Sequence, residues 1–226
     1  MKKRRRYSAA IFDLDGLILD TEIISRNAWQ RALGDFGFEL IDNLYQKIVG
    51  LNVADIEDTF RSTFGKDLPL DKVKTLRAKY IHEHLDQQAV AVKPGVLEVL
   101  ALLEKACIPR AVATSSSTNL AMRKLTDSNL INRFDAIVCG DQIRKGKPAP
   151  DIFLAAAEKL QVCPESCLVF EDSENGIRAA HAAGMTAIMI PDLIQPSRQT
   201  ARMAHRVFPS MHEAIPFLQQ VFKTPT

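Results

Sequence analysis

The sequence predicts an α/β fold: a doubly wound parallel sheet, covered by helices on both faces, that carries an inserted all-α helical domain. Three observations lead there. Short apolar runs of about four to six residues recur along the chain, and near-continuous apolarity of that length marks strands buried on both faces. Helix-like segments alternate with these runs, the order that builds a parallel sheet with helices on either side. Between about Thr21 and about Ala91 the alternation stops and only helical periodicity remains.

The first strand is expected at Ala9 to Phe12. Four more follow at Arg110 to Ala113, Ala136 to Cys139, Cys167 to Phe170 and Ala187 to Ile190. The interleaved helices are read at Val96 to Ala106, Asn119 to Leu125, Asp151 to Leu160 and Gly176 to Ala183. Within the insertion, Ile24, Ala28, Ala32 and Phe36 recur every four residues, as do Ile56, Phe60 and Phe64. Val73, Leu76 and Tyr80 continue at spacings of three and four, so each set lines one helical face. The expected organisation is a discontinuous core of residues 1–20 and 92–226, with 1–7 a basic tail, and a cap of residues 21–91. Such a cap is expected to act as a lid.

The bulk properties exclude several classes. The chain has 226 residues, 46% hydrophobic and 25% charged, the mixture of an ordinary globular protein. A net charge of only +2 gives no strong field toward nucleic acid or membrane. The run Lys2-Lys3-Arg4-Arg5-Arg6 has no aromatic or amphipathic partner and reads as a solvated tail. No apolar stretch approaches the roughly 18 residues of a membrane span. The apolar run after the basic start is interrupted by Asp13 and Asp15, which does not suit a signal peptide. Cys107, Cys139, Cys163 and Cys167 form no zinc spacing and are read as reduced, partly buried thiols of a cytoplasmic protein.

Ligands of an open parallel sheet bind beyond the carboxyl ends of its strands. After the first predicted strand come Asp13 and Asp15, with Gly16 for a tight turn; after the second come Thr114, Ser115 and Ser116. A loop beyond the third leads to Gly146-Lys147-Pro148, and the fourth is followed by Glu171 and Asp172. Clustered carboxylates require a cation, most simply Mg²⁺ with its hard oxygen ligands. One carboxylate can then act as nucleophile and a second, two residues on, as general acid and base. Hydroxyls after the second strand and the Lys147 ammonium would hold phosphoryl oxygens. Each element alone is commonly structural, but their arrival at one sheet edge points to phosphoryl transfer.

At these residues the sequence resembles the haloacid-dehalogenase-like hydrolases with a helical cap inserted after the first strand. The first motif is Ile11-Phe12-Asp13-Leu14-Asp15-Gly16-Leu17, continuing to Asp20-Thr21-Glu22, and the second is Val112-Ala113-Thr114-Ser115-Ser116. The third runs from Gly146-Lys147-Pro148 to Asp151-Ile152-Phe153, and the fourth is Val169-Phe170-Glu171-Asp172-Ser173. The resemblance implies a Rossmann-like sheet with a helical-bundle cap, Asp13 as nucleophile, Asp15 as general acid/base, and Thr114 and Lys147 as holders of the phosphoryl group. It implies Mg²⁺ bound by Asp13, the backbone carbonyl of Asp15 and Asp172, with Glu171 nearby and partly engaged through water.

The segments Pro148 to Phe153 and Glu171 to Ser173 look like β-phosphoglucomutase, whereas Leu17 to Glu22, Ala113 to Ser116 and Cys167 to Asp172 look similar to pseudouridine 5′-phosphatase. The mutase carries a His and an Arg in its cap where this chain has Ser25 and Val53. Simple hydrolysis of a sugar phosphate or nucleoside-type monophosphate is therefore expected, ahead of a mutase and of a non-catalytic phospho-receiver module. Expected partners are a small phosphorylated metabolite and neither nucleic acid nor membrane, with the chain a monomer or weak homodimer. Substrate choice is expected from cap residues between Ser25 and Gly50.

Overall fold

The structure, a computed structural model, describes residues 7–49, 51 and 53–222. The basic run Lys2 to Arg6, Gly50 and the side chain of Val53 lie outside the described residues. The chain divides into two compact units, residues 1–20 with 91–226, and residues 21–90.

The larger unit begins with β1 (Ala9–Phe12), whose four residues are all buried. The smaller, all-helical unit follows: α1 (Glu22–Gly34), α2 (Asp42–Ile48), α3 (Val53–Phe64) and α4 (Leu70–Gln87). The larger unit then resumes with α5 (Val96–Lys105), β2 (Arg110–Thr114), α6 (Thr118–Asp127), β3 (Ala136–Cys139) and α7 (Asp151–Lys159). It ends with β4 (Cys167–Glu171), α8 (Glu174–Ala182), β5 (Thr186–Met189), α9 (Arg198–Met203), β6 (Arg206–Val207) and α10 (Met211–Val221).

The strands pair in parallel in the order β3-β2-β1-β4-β5-β6. This is the doubly wound arrangement, in which the connections turn in opposite directions on either side of β1. Register explains why the strands read as unbroken apolar runs. Ala9 and Ile11 of β1 join Ala111, Ala113, Cys167 and Val169 in a core closed by Ile152, Phe153 and Ala156 of α7 and Ile177 and Ala180 of α8. Phe12 pairs in register with Phe170, and their rings stack at 4.6 Å with Phe134 edge-on to Phe12 at 6.1 Å.

Strand limits differ slightly from the sequence reading. β2 and β4 each extend one residue further, so Thr114 and Glu171 are the last strand residues and their backbones are fixed by the sheet. β5 starts and ends one residue earlier than expected, at Thr186–Met189. β6 is a sixth strand with no counterpart in the pattern: it is two residues long and exposed, so it carries no apolar run. The four thiols are free, but only Cys139 and Cys167 are buried. Cys107, in the turn after α5, and Cys163, before Pro164, are exposed, which corrects the expectation that all four are partly buried. Among the described residues no helix is long and apolar enough to cross a membrane.

The helical unit has its own core. Trp29 of α1 meets Phe60 of α3 edge-to-face at 5.0 Å, with Leu33, Leu44, Tyr45, Ile48 and Val73 buried around them. Arg77 of α4 lies over the Trp29 ring at 4.6 Å and donates to Ser25 Oγ at 3.2 Å. Tyr45 donates to Glu22, and burial pushes its phenol well above the ordinary tyrosine range.

Because Phe170 is wholly buried against Phe12, Phe170→Ala is expected to cost about 3–5 kcal/mol. Urea unfolding checks this through a lower midpoint at unchanged slope.

Candidate active site

Four strand ends meet beside β1. Asp13 directly follows β1, and its backbone N–H donates to Phe170 O at 3.0 Å, continuing the β1–β4 ladder by one residue. The chain then turns sharply, with Leu19 N–H donating to Leu14 O at 3.0 Å and Gly16 N–H to Leu19 O at 2.9 Å. Gly16 has φ +82°, and a β-carbon there would meet Asp172 Oδ2 at 2.5 Å. Glycine is thus required both by the left-handed backbone and by the carboxylate beside it.

Lys147 is the hub. Its Nζ donates to Asp13 Oδ1, to Glu171 Oε1 and to the carbonyl of Ala113, the last at 3.2 Å. Lysine, aspartate and glutamate are all buried, Glu171 completely. Phe153 closes the lysine from the other side, its ring centroid 5.1 Å from Nζ. Glu171 Oε2 accepts from the N–H and Oγ of Ser173, each at 2.9 Å. Ser173 Oγ in turn accepts from Gly176 N–H at 3.0 Å and caps α8. A β-carbon on Gly176 would overlap the Glu171 carboxylate, so glycine in the first turn of α8 makes room for it.

Asp13, Glu171 and Asp172 place carboxylate oxygens within 4.8 Å of one another. With all three ionised and Lys147 counted in, these groups would carry two excess negative charges, the complement of one divalent cation. The donors are hard oxygens, which fits Mg²⁺. Glu171 belongs to the cluster, but both its oxygens already accept from protein donors.

Asp15 points elsewhere. Its Oδ2 accepts from Ser116 Oγ at 2.7 Å and stands 3.3 Å from Thr114 Oγ1, while its Oδ1 lies 2.5 Å from Lys124 Nζ. Thr114 Oγ1 also accepts from Ser116 N–H at 3.0 Å, which fixes the loop after β2. Ser115, between them, is exposed. The structure therefore brings Asp13, Lys147, Glu171 and Asp172 into one group and Asp15, Thr114 and Ser116 into its neighbour. It adds Lys124, which the sequence reading missed. Lys124 is buried on α6 beside Ala121 and Leu125, so its signal was a lysine on the apolar face of a helix.

These features define the class of protein: a doubly wound α/β fold with a buried acid–lysine centre at the topological switch. The family model for haloacid dehalogenase-like hydrolases matches residues 10–190, and the chain belongs to that family. It is 34% identical over 195 residues to fructose-1-phosphate phosphatase YqaB of Escherichia coli, a match covering 81% of this chain and 96% of that protein. It is 32% identical over 197 residues to a probable pseudouridine-5′-phosphatase of Drosophila melanogaster, covering 84% of each. The fold is similar to a CbbY variant from Rhodobacter sphaeroides in complex with xylulose-(1,5)bisphosphate, with TM-score 0.79 and 26% identity over 92% of this chain and 96% of that one.

Burial, above all, pushes the Asp13 carboxyl from its usual 3.8 up to about 7; Glu171 and Asp15 add to the rise and Lys147 opposes it. Burial alone would lower Lys147, but the charges of Asp13 and Glu171 outweigh it and hold the ammonium protonated beyond the ordinary lysine range. In the metal-free protein the folded state keeps on Asp13 a proton that the unfolded chain gives up near pH 4. The stability it contributes is present at low pH and is lost as pH rises through about 7. Urea midpoints of the metal-free wild type are expected to fall across this window, and Asp13→Asn is expected to remove that part of the slope.

Proposed function

We propose that this chain is a Mg²⁺-dependent phosphatase that hydrolyses a small phosphorylated metabolite, a sugar phosphate or nucleoside-type monophosphate, through an aspartyl-phosphate on Asp13. The observation that carries the reading is the buried Lys147 bridging Asp13 and Glu171 with Asp172 alongside. The names of the phosphatase relatives support the same class.

Mg²⁺ would be held by Asp13, Asp172 and the backbone carbonyl of Asp15, and would offset charge on the phosphoryl oxygens. Asp13 Oδ attacks phosphorus as the bond to the leaving oxygen breaks, and Asp15 delivers a proton to that oxygen. The Thr114 and Ser115 hydroxyls, on the loop that the Ser116 N–H fixes, would donate to the non-bridging phosphoryl oxygens, and the Lys147 ammonium adds positive charge beside them. Lys147 also keeps one Asp13 oxygen in place, leaving the other for attack. A water then attacks the phosphoryl group and gives its proton to Asp15, and the Asp13 carboxylate is released with inorganic phosphate.

A mutase reading finds less support. At Ser25, where that branch carries an imidazole, the side chain is a hydroxyl already engaged by Arg77. A hydroxyl offers no base near neutral pH for handing a phosphoryl group back to a sugar.

With Mg²⁺ supplied, a panel of phosphorylated metabolites and an aryl phosphate is expected to show phosphate release that chelation abolishes. Asp13→Asn should lower it by ~10³-fold or more, the scale of deleting a nucleophile. A folded wild type inert toward every monoester, or one that accumulates a stable aspartyl-phosphate without turnover, contradicts the proposal. Proton and metal compete for Asp13, so Mg²⁺ affinity measured by calorimetry should rise with pH up to about 7 and level off above it.

A further inference from the structure

The phosphoryl chemistry above uses Asp13, Asp15, Thr114, Lys147 and Asp172 and leaves one buried cation without a task. Lys124 has a side chain only 7% exposed, and its ammonium lies 2.5 Å from Asp15 Oδ1. It also reaches Ser116 Oγ at 3.4 Å, and Ser116 Oγ is itself 2.7 Å from Asp15 Oδ2. Asp15 comes from the end of β1, Ser116 from the loop after β2 and Lys124 from α6, so the three groups lock three segments around one carboxyl. Burying an ammonium costs free energy that Asp15, the carboxylate paired with it, must largely offset. Ala121 and Leu125, its neighbours on the buried face of α6, show that an apolar residue fits this environment. A lysine here serves packing poorly and serves Asp15 well.

We propose that Lys124 is a positioning residue: with Ser116 it fixes the side chain of Asp15, so that the carboxyl meets the leaving-group oxygen at a set place. The inference rests on the reading of Asp15 as general acid. Lys124 acts through Asp15 and its loss should be felt only where a proton must be delivered to the departing oxygen. A purely structural lysine would slow every substrate alike.

The test measures kcat/KM of the full-length, Mg²⁺-loaded enzyme on two monoesters. One is an alkyl phosphate, whose leaving oxygen must be protonated; the other is 2,4-dinitrophenyl phosphate, whose leaving group departs as the anion. For Lys124→Met the alkyl substrate is expected to lose ~10–100-fold, the range for misplacing a catalytic group by about an ångström. The dinitrophenyl substrate should change by less than ~3-fold. Lys124→Arg should restore most of the loss, and in an Asp15→Asn background Lys124→Met should add nothing further. Ser116→Ala, which leaves the ammonium in place, should show the same selectivity in weaker form and stands in if Lys124→Met does not fold. Equal losses on both substrates, no loss on either, or a full additional loss in the Asp15→Asn background overturns the proposal. If Asp15→Asn itself shows no leaving-group selectivity while Asp13→Asn is inactive, the assignment of Asp15 fails first and this inference falls with it.

Discussion

The ammonium of Lys147, held out of water between Asp13 and Glu171, is the constraint on which the larger unit's architecture turns. A buried lysine is tolerable only when paired, and each of its carboxylates is equally intolerable without it. The pair therefore fixes what surrounds it. Asp13 must leave β1 in register with Phe170, which its backbone hydrogen bond achieves. Glu171 must remain the final residue of β4, and the first turn of α8 must present Gly176 to it, because no side chain at residue 176 would clear the carboxylate. The same burial lifts Asp13 to about 7, so folding by itself disfavours the charged form of this carboxyl. Stability and chemistry here come from one arrangement, in which the fold tolerates an unbalanced site that a metal and a phosphate would balance.

Much of this was legible in the sequence because the sheet imposes simple geometry. Strands buried on both faces cannot alternate, so Ala9 to Phe12 and Cys167 to Phe170 announce themselves as apolar runs, and their carboxyl ends then locate Asp13 and Glu171. Parallel order follows from the helices between them, and adjacency of the strand ends follows from parallel order. The helical insertion was visible too, since Arg26 and Gln30, midway between Ile24, Ala28 and Ala32, break the alternation a strand would need while the period of four suits a helix. What escaped was whatever depends on tertiary placement. β6 has two exposed residues and is a strand only because β5 is beside it. Lys124 reads in isolation as a helical surface lysine; its burial depends on Asp15 and Ser116 standing far away in sequence. The engagement of Glu171 by Ser173 and Lys147, which uses up its oxygens, is likewise invisible to spacing.

Asp13 and Asp15 are separated by one residue, yet their environments differ in the way two roles would demand. Asp13 has a side chain 9% exposed, whereas Asp15 is 27% exposed. Each has a lysine, but the two lysines differ in kind. Lys147 is shared with Glu171, so it cannot fully neutralise Asp13; Lys124 serves Asp15 without a second carboxylate among its described ion-pair partners. A nucleophile benefits from exclusion of water, because a poorly solvated carboxylate attacks more readily and a covalent intermediate must not meet solvent early. A general acid and base has the opposite need, since it must exchange a proton with the leaving oxygen and then with water. That contrast is what the proposed roles, Asp13 as nucleophile and Asp15 as general acid and base, would call for. The turn at Gly16 enforces the difference: it carries Asp15 away from the buried carboxylates toward the hydroxyls after β2 while leaving Asp13 locked to Lys147. The contrast between Asp13 and Asp15 is thus set by the fold before any substrate arrives.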